Sequence, residues 1–233
     1  MPNVGRMKAY CKGDLGWNDE FANNENDDLE MKKVLLIRHG VSQHNAEGDC
    51  LSGIMDTSIT DLGRAQAAAL ERILSQYSID MVYSSPLKRA METARLAVPT
   101  FTDSIQVAGC LLEFDYGDYD GIPANVLDKS DPIVRQWNQS PGTLCFPNGG
   151  CISDHADFVF DGLLDLVKHS SGKVLACFSH KTTIRLIIAK ALGLPLDYFR
   201  RIPCANGSIS VGIYQEREIM VDSLNLTIEK ACQ

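Results

Sequence analysis

The sequence predicts an α/β fold: a single domain with a mostly parallel central sheet and helices on both faces. Three observations predict it. Short apolar β-type runs alternate with helical-period segments from residue 31 onward, the pattern of a parallel sheet covered on both sides. At 233 residues the chain is long enough to bury one full core. The first apolar run, Lys33-Val34-Leu35-Leu36-Ile37, leads into Arg38-His39-Gly40. That reads as a buried strand which breaks at a glycine and delivers polar side chains to its carboxyl end, where open α/β sheets bind ligands.

The elements follow in order. Residues 1–30 are polar, Asn- and Asp-rich and without periodicity, so they read as an acidic, flexible extension, although Trp17 and Phe21 offer two docking side chains. Thr60 reads as an N-cap with Gly63 at the fourth position; Leu62, Ala65, Ala69, Ile73 and Leu74 then recur at helical spacing up to Tyr77. A strand is expected over 79–83. Pro86 sits where a first helical turn tolerates it, and 87–98 continues that helix. A short strand over 105–107 precedes a loop carrying Glu113. Residues 122–150 read as irregular, with Pro123, Pro132, Pro141, Pro147 and the Gly149-Gly150 pair. A helix over 153–169, a strand over 173–178 and a helix over 182–192 come next, and a hairpin over 208–214 and 218–221 closes the domain, which spans 31–233. There is no internal repeat.

Composition narrows the function. The net charge is -8, with -4 of it in the first thirty residues. Neither part has the basic excess of a nucleic-acid binder. No apolar run approaches the ~20 residues that span a bilayer, and residues 1–21 lack the apolar core of a secretory signal, so no membrane partner and a cytoplasmic location are expected. The eight cysteines form no C-x-x-C pair, and a domain this size needs no staples, so free thiols are expected throughout. Cys177 with His180 and Cys151 with His155 make a poor zinc set, because structural zinc sites pair cysteines at short spacing. No metal site is predicted.

Leu36-Ile37-Arg38-His39-Gly40-Val41-Ser42-Gln43-His44-Asn45 resembles the L-x-R-H-G-x-T-x-x-N signature of the histidine phosphatase superfamily, the phosphoglycerate mutase-like enzymes. Further matches come in that family's order: Ile59 to Ala67 (ITDLGRAQA), Tyr83 to Ala90 (YSSPLKRA), Leu112 to Gly121 (LEFDYGDYDG), Phe178 to Arg185 (FSHKTTIR) and Ala205-Asn206-Gly207-Ser208. The likeness covers about residues 32 to 228 and is closest in pattern to the cofactor-independent phosphatases. It implies a phosphoglycerate mutase-like fold, no cofactor, a small phosphorylated substrate and hydrolysis of a phosphomonoester. The oligomeric state is not implied.

The residues suit that chemistry. Phosphoryl transfer needs a nucleophile, positive charge around the equatorial oxygens and a proton for the leaving alkoxide. Arg38 and Arg89 offer fixed bidentate donors. The resemblance makes His39 the nucleophile that becomes phosphohistidine, the two arginines its phosphoryl clamp, His180 a ligand of the same oxygens and Glu113 the proton donor. His180 also ends a strand and opens a helix, whose N-terminus favours an anion. Asn45 is expected to touch the phosphate or fix the nucleophile loop, and Ser42 keeps the hydroxyl of the family's threonine. Asp115, Asp118 and Asp120 read as solvated, loop-forming carboxylates.

Three departures bear on specificity. Pro147-Asn148-Gly149-Gly150-Cys151 stands where many relatives have P-x-G-E-S, Leu112 replaces a common arginine, and Lys181 replaces a small residue after the second histidine. A lysine there is placed to favour a substrate with a second anionic group. A cofactor-dependent phosphoglycerate mutase is the alternative enzyme, against which the scarcity of basic residues in 122–150 argues, with Lys129 and Arg135 alone. A non-catalytic phospholigand-binding domain is the alternative outside enzymes.

Overall fold

The computed structural model describes residues 31–48 and 50–227. The expected extension at 1–30, any docking by Trp17 or Phe21, and Cys11 and Cys232 lie outside those residues. Six strands form one sheet in the order β3-β2-β4-β1-β5-β6. They are β1 (Lys32–Arg38), β2 (Met81–Ser84), β3 (Gln106–Val107), β4 (Val174–Ser179), β5 (Ile209–Gln215) and β6 (Glu218–Leu226). The pairings β1–β4, β4–β2 and β2–β3 are parallel, and β5 and β6 add an antiparallel edge. The helices are α1 (Gln43–Ala46), α2 (Asp61–Leu74), α3 (Lys88–Ala97), α4 (Pro132–Gln139), α5 (Ile152–His169) and α6 (Lys181–Ala191). No helix among the described residues is long and apolar enough to cross a membrane.

Alternation along the strands divides the core into two layers. Leu35 and Ile37 of β1 with Ala176 and Phe178 of β4 meet Leu70 and Ile73 of α2 and Ala94 and Ala97 of α3. The intervening Val34, Leu36, Leu175 and Cys177 meet Val159 and Leu163 of α5 and Ile184 and Ile187 of α6. Each of the Val, Leu, Ile and Phe side chains among them contributes roughly 1.5–3 kcal/mol by leaving water. Two central strands are thus covered on both faces, which is why they read as continuous apolar runs.

The structure corrects four expectations. Thr60 caps α2 through Gly63 N–H at 3.2 Å, but the helix ends at Leu74 and its buried stripe is Gly63, Ala67, Leu70, Ile73 and Leu74. Leu62 is 60% exposed. The first turn is pressed by Gly63 onto the Gly40–Val41 backbone, and that contact sets the helix rotation. Residues 122–150 are not wholly irregular: Pro132 starts α4 rather than breaking it, with the Asp131 carboxylate accepting from Ile133 N–H at 2.7 Å.

The expectation of free thiols fails at one pair. Cys145 and Cys151 form a disulfide, because the Pro147–Gly150 turn folds the chain back and pairs the two residues as an antiparallel bridge. Cys50, Cys110, Cys177 and Cys204 are free and buried. Finally, Asp115 is buried rather than solvated and accepts from Gly117 N–H at 2.9 Å.

Candidate active site

β1, β4 and β2 end level with one another. Arg38 is in register with Ser179, and Ser84 with Phe178. One residue further, His39 N–H donates to Ser179 O at 3.1 Å and Ser85 N–H to Phe178 O at 2.9 Å. The sheet's carboxyl edge therefore brings His39, His180 and Ser85 together. The His39 and His180 ring centroids lie 5.2 Å apart, and His180 Nε2 shares a 2.7 Å hydrogen bond with Ser85 Oγ.

The loop after β1 is held from several sides. Gly40 N–H donates to Thr93 Oγ1 (3.1 Å) and Val41 N–H to Gln66 Oε1 (2.8 Å), while Val41 O accepts from Thr60 N–H at 2.8 Å. A Cβ on Gly40 would meet Gly63 O at 2.5 Å, so glycine at both 40 and 63 is what lets the loop and α2 touch. Ser42 caps α1, its backbone N–H donating to Asn45 Oδ1 at 3.2 Å. Asn206 Nδ2 donates both to Asn45 Oδ1 (3.0 Å) and to His39 O (3.2 Å). Asn45 is thus a fixed strut of the His39 loop as well as a lining residue of the cavity beside it.

Arg89, on α3, is fully buried. Its NH1 donates to Met55 O at 2.8 Å and its NH2 to Gly53 O at 2.6 Å. The loop that supplies those carbonyls is itself tied down by Asp120, which accepts from Gly53 N–H (2.6 Å) and Met55 N–H (3.2 Å). Arg89 Nε and His180 Nδ1 are buried with no protein partner among the described residues. Glu113 is buried at the start of α6. Its Oε1 accepts from Phe114 N–H (2.9 Å) and Thr183 N–H (3.1 Å), and its Oε2 from Thr182 N–H (3.1 Å). Thr183 Oγ1 lies 3.2 Å from Oε1 and 3.1 Å from His155 Nε2.

Arg38, His39, Asn45, Glu113 and Lys181 line one cavity of about 200 Å³. Arg89, His180 and Ser42 are buried and do not line it. His39 is only 3% exposed, so it occupies the base of a cavity rather than the solvent-facing strand end that its sequence position suggests. Burial first, then the charges of Arg89 and Arg38, hold its pKa well below the usual histidine range. His180 is lowered in the same way, by burial, Arg89 and His39. Both rings are therefore neutral at pH 7. His39 Nδ1 lies 2.7 Å from Gly40 O, a contact that assigns the proton to Nδ1 and leaves the Nε2 lone pair available. Burial raises the Glu113 pKa from its ordinary carboxylate value, against the pull of the Phe114 and Thr182 amides and the Arg89 charge.

A neutral imidazole, buried guanidinium charge and a carboxyl of raised pKa at one sheet edge are the elements of a phosphoryl-transfer site. The model of the histidine phosphatase superfamily (branch 1) matches residues 34–227. The chain belongs to the histidine phosphatase superfamily. Phosphoserine phosphatase 1 of Hydrogenobacter thermophilus is 29% identical over 84% of this chain and 93% of its own length. Glucosyl-3-phosphoglycerate phosphatase of Mycolicibacterium vanbaalenii is 28% identical over 72% of this chain and 78% of its own. Among solved structures, a putative alpha-ribazole-5'-P phosphatase from Escherichia coli superposes with a TM-score of 0.75 at 26% identity, covering 84% of this chain and 96% of that one.

This member of the superfamily carries more cavity residues than the sequence singles out. Lys129, Trp137, Arg185 and Arg200 also line the cavity, contributed by three separate segments. Arg185 stands at the end of the F-S-H-x-x-x-I-R match, four residues after Lys181 and so on the same helix face. That spacing was the available signal. Asn206 falls within the Ala205-Asn206-Gly207-Ser208 match, which gave it no role at the site, and nothing in the local sequence marks Arg200.

Proposed function

We propose that this chain is a phosphatase that hydrolyses a small phosphomonoester through a phosphohistidine formed on His39, without a cofactor or a metal. The placement of His39 carries the reading. Its unprotonated Nε2 belongs to a ring 5.2 Å from His180, shares a cavity with Arg38 and Glu113, and feels the buried Arg89 charge. In the first step Nε2 attacks phosphorus as the ester P–O bond breaks, and the departing alkoxide takes the Glu113 proton. Arg38, which lines the cavity, stabilises the charge spread over the three equatorial oxygens together with Arg89 and His180, whose buried Nε–H and Nδ1–H have no protein partner among the described residues. With Ser85 Oγ–H donating to Nε2, His180 offers Nδ1–H as one of those donors. In the second step the Glu113 carboxylate takes a proton from water as it attacks the phosphohistidine. The P–N bond breaks, inorganic phosphate leaves and His39 returns neutral.

The relatives named above support a phosphatase, and the cavity limits its substrate. About 200 Å³ lies below the ~300–1,000 Å³ usual for drug-sized ligands, so the body beyond the phosphate is small. Lys181 adds a cation to that cavity. Phosphate release from a chromogenic aryl phosphate, with EDTA present and repeated on His39→Ala, is the direct test. EDTA-resistant turnover that disappears in the variant supports the reading. Turnover lost in EDTA and restored by a divalent metal refutes its metal independence.

A further inference from the structure

The cavity holds more positive charge than one phosphate uses. Arg38, Lys129, Lys181, Arg185 and Arg200 line it, and Glu113 is the one carboxylate among the lining residues, in a chain whose net charge is -8. The reading proposed above assigns Arg38 to the phosphoryl group. The guanidinium groups of Arg185 and Arg200 have no part in it.

These two side chains are anchored but not neutralised. Arg185 Nε donates to Ile202 O at 2.7 Å. Arg200 lies over the Trp137 ring, 4.5 Å from its centroid, and donates through NH1 to Trp137 O and to Asn138 Oδ1 at 3.0 Å. Every one of these partners is uncharged, and neither arginine meets a carboxylate among the described residues. Burial lowers the Arg200 pKa, and the Arg185 charge adds to that against the opposing pull of Tyr116. Partly buried like charges held together by neutral anchors destabilise the unliganded site unless an anion completes it. A guanidinium presents a planar fork that matches a carboxylate with two parallel hydrogen bonds. Trp137, Val134 and Leu127 supply apolar lining to the same cavity.

We propose that Arg185 and Arg200 form a second anion subsite, and that the substrate is a small phosphomonoester bearing a carboxylate on its carbon body. The inference rests on the phosphatase reading. It assigns specificity to residues outside the phosphoryl-transfer machinery.

The test compares two esters that differ at one terminal carbon. D-3-Phosphoglycerate carries a carboxylate where sn-glycerol 1-phosphate, with the same spatial arrangement at its central carbon, carries a hydroxymethyl group. A pair of charged hydrogen bonds predicts at least about a tenfold higher kcat/KM for the carboxylate ester. Arg185→Gln and Arg200→Gln should each move that ratio toward one, and Arg200→Lys, which keeps charge but loses the fork, should fall between. Melting curves on each variant identify any that fails to fold. A parent ratio near one overturns the proposal, as does a proportional loss on both esters in the folded glutamine variants. If the parent hydrolyses neither ester nor the chromogenic aryl phosphate, the phosphatase reading fails by itself. Wherever neither ester turns over, calorimetric titration with the same two esters decides the subsite. Tighter binding of the carboxylate ester, lost in the glutamine variants, sustains it; equal binding or none overturns it.

Discussion

Replacing Glu113 by glutamine removes the transferable proton and turns one carboxylate oxygen into an amide nitrogen. The native carboxyl accepts from three backbone amides, of Phe114, Thr182 and Thr183. Glutamine keeps the Oε1 pair if its oxygen takes that place, and leaves Thr182 N–H facing a donor. One buried donor without a partner costs about 1–3 kcal/mol, offset in part because no charge has to be buried. The folded pKa of Glu113 is raised, so its contribution to stability is complete below the unfolded carboxyl value and is lost as pH rises through the folded one. The stability of Glu113→Gln relative to the parent should therefore improve between pH 4 and pH 8. Activity should respond far more strongly. General acid catalysis is worth roughly 10²–10⁴ in rate, so turnover of an alkyl phosphate should fall by at least two orders of magnitude, and that of a nitrophenyl phosphate much less. The assay is single-turnover kinetics on both esters beside urea unfolding. Equal losses on the two esters in the phosphorylation step, or an unchanged rate, would refute the assignment, with Asp115 the next carboxylate to test.

Arg89→Ala should cost roughly 3 kcal/mol of transition-state stabilisation, about two orders of magnitude in kcat. It should also loosen the loop whose Gly53 and Met55 carbonyls Arg89 holds; near-normal turnover in steady-state assays would show that Arg89 takes no part. Breaking the Cys145–Cys151 bridge, by reductant or by Ser at both positions, should lower the unfolding free energy by about 2 kcal/mol on the loop-entropy relation, and an unchanged urea midpoint would count against any contribution from the bridge. His155, wholly buried against Phe114 and Thr183, is held at a pKa of about 3 by burial. Because that value is depressed, its contribution is present above about pH 6.5 and drains away as pH falls toward 3, at up to about 1.4 kcal/mol per pH unit. His155→Leu should flatten that acid limb, and parallel stability curves for parent and variant would refute the account.

Much of this was legible in the sequence because strand ends carry their chemistry locally. Arg38-His39-Gly40 and Phe178-Ser179-His180 each announce a buried strand stopping at a polar residue, and the Thr60 cap with Gly63 fixes the start of α2. What the sequence hid depends on contacts between distant segments. The rotation of α2 follows from Gly63 meeting Gly40, which no helical periodicity contains. Asn206 reaches His39 and Asn45 only through the antiparallel β5 edge. Arg200 joins the cavity wall because the 3₁₀ turn Leu196–Arg201 stacks it on Trp137, and α4, which carries that tryptophan, was masked by the surrounding prolines. The disulfide was missed for a related reason, since the Pro147–Gly150 turn that closes it is a matter of backbone path rather than cysteine spacing.

The claim that organises all of this is a covalent phosphoryl group on His39 Nε2. Rapid mixing with a ³²P-labelled ester, quenched within the first turnover and followed by peptide mapping, reads it directly. The account predicts label on the His39 peptide, labile to acid and stable to base, accumulating before phosphate release and absent from His39→Ala. Continued hydrolysis by that variant, or label on a carboxylate or on His180, would contradict it.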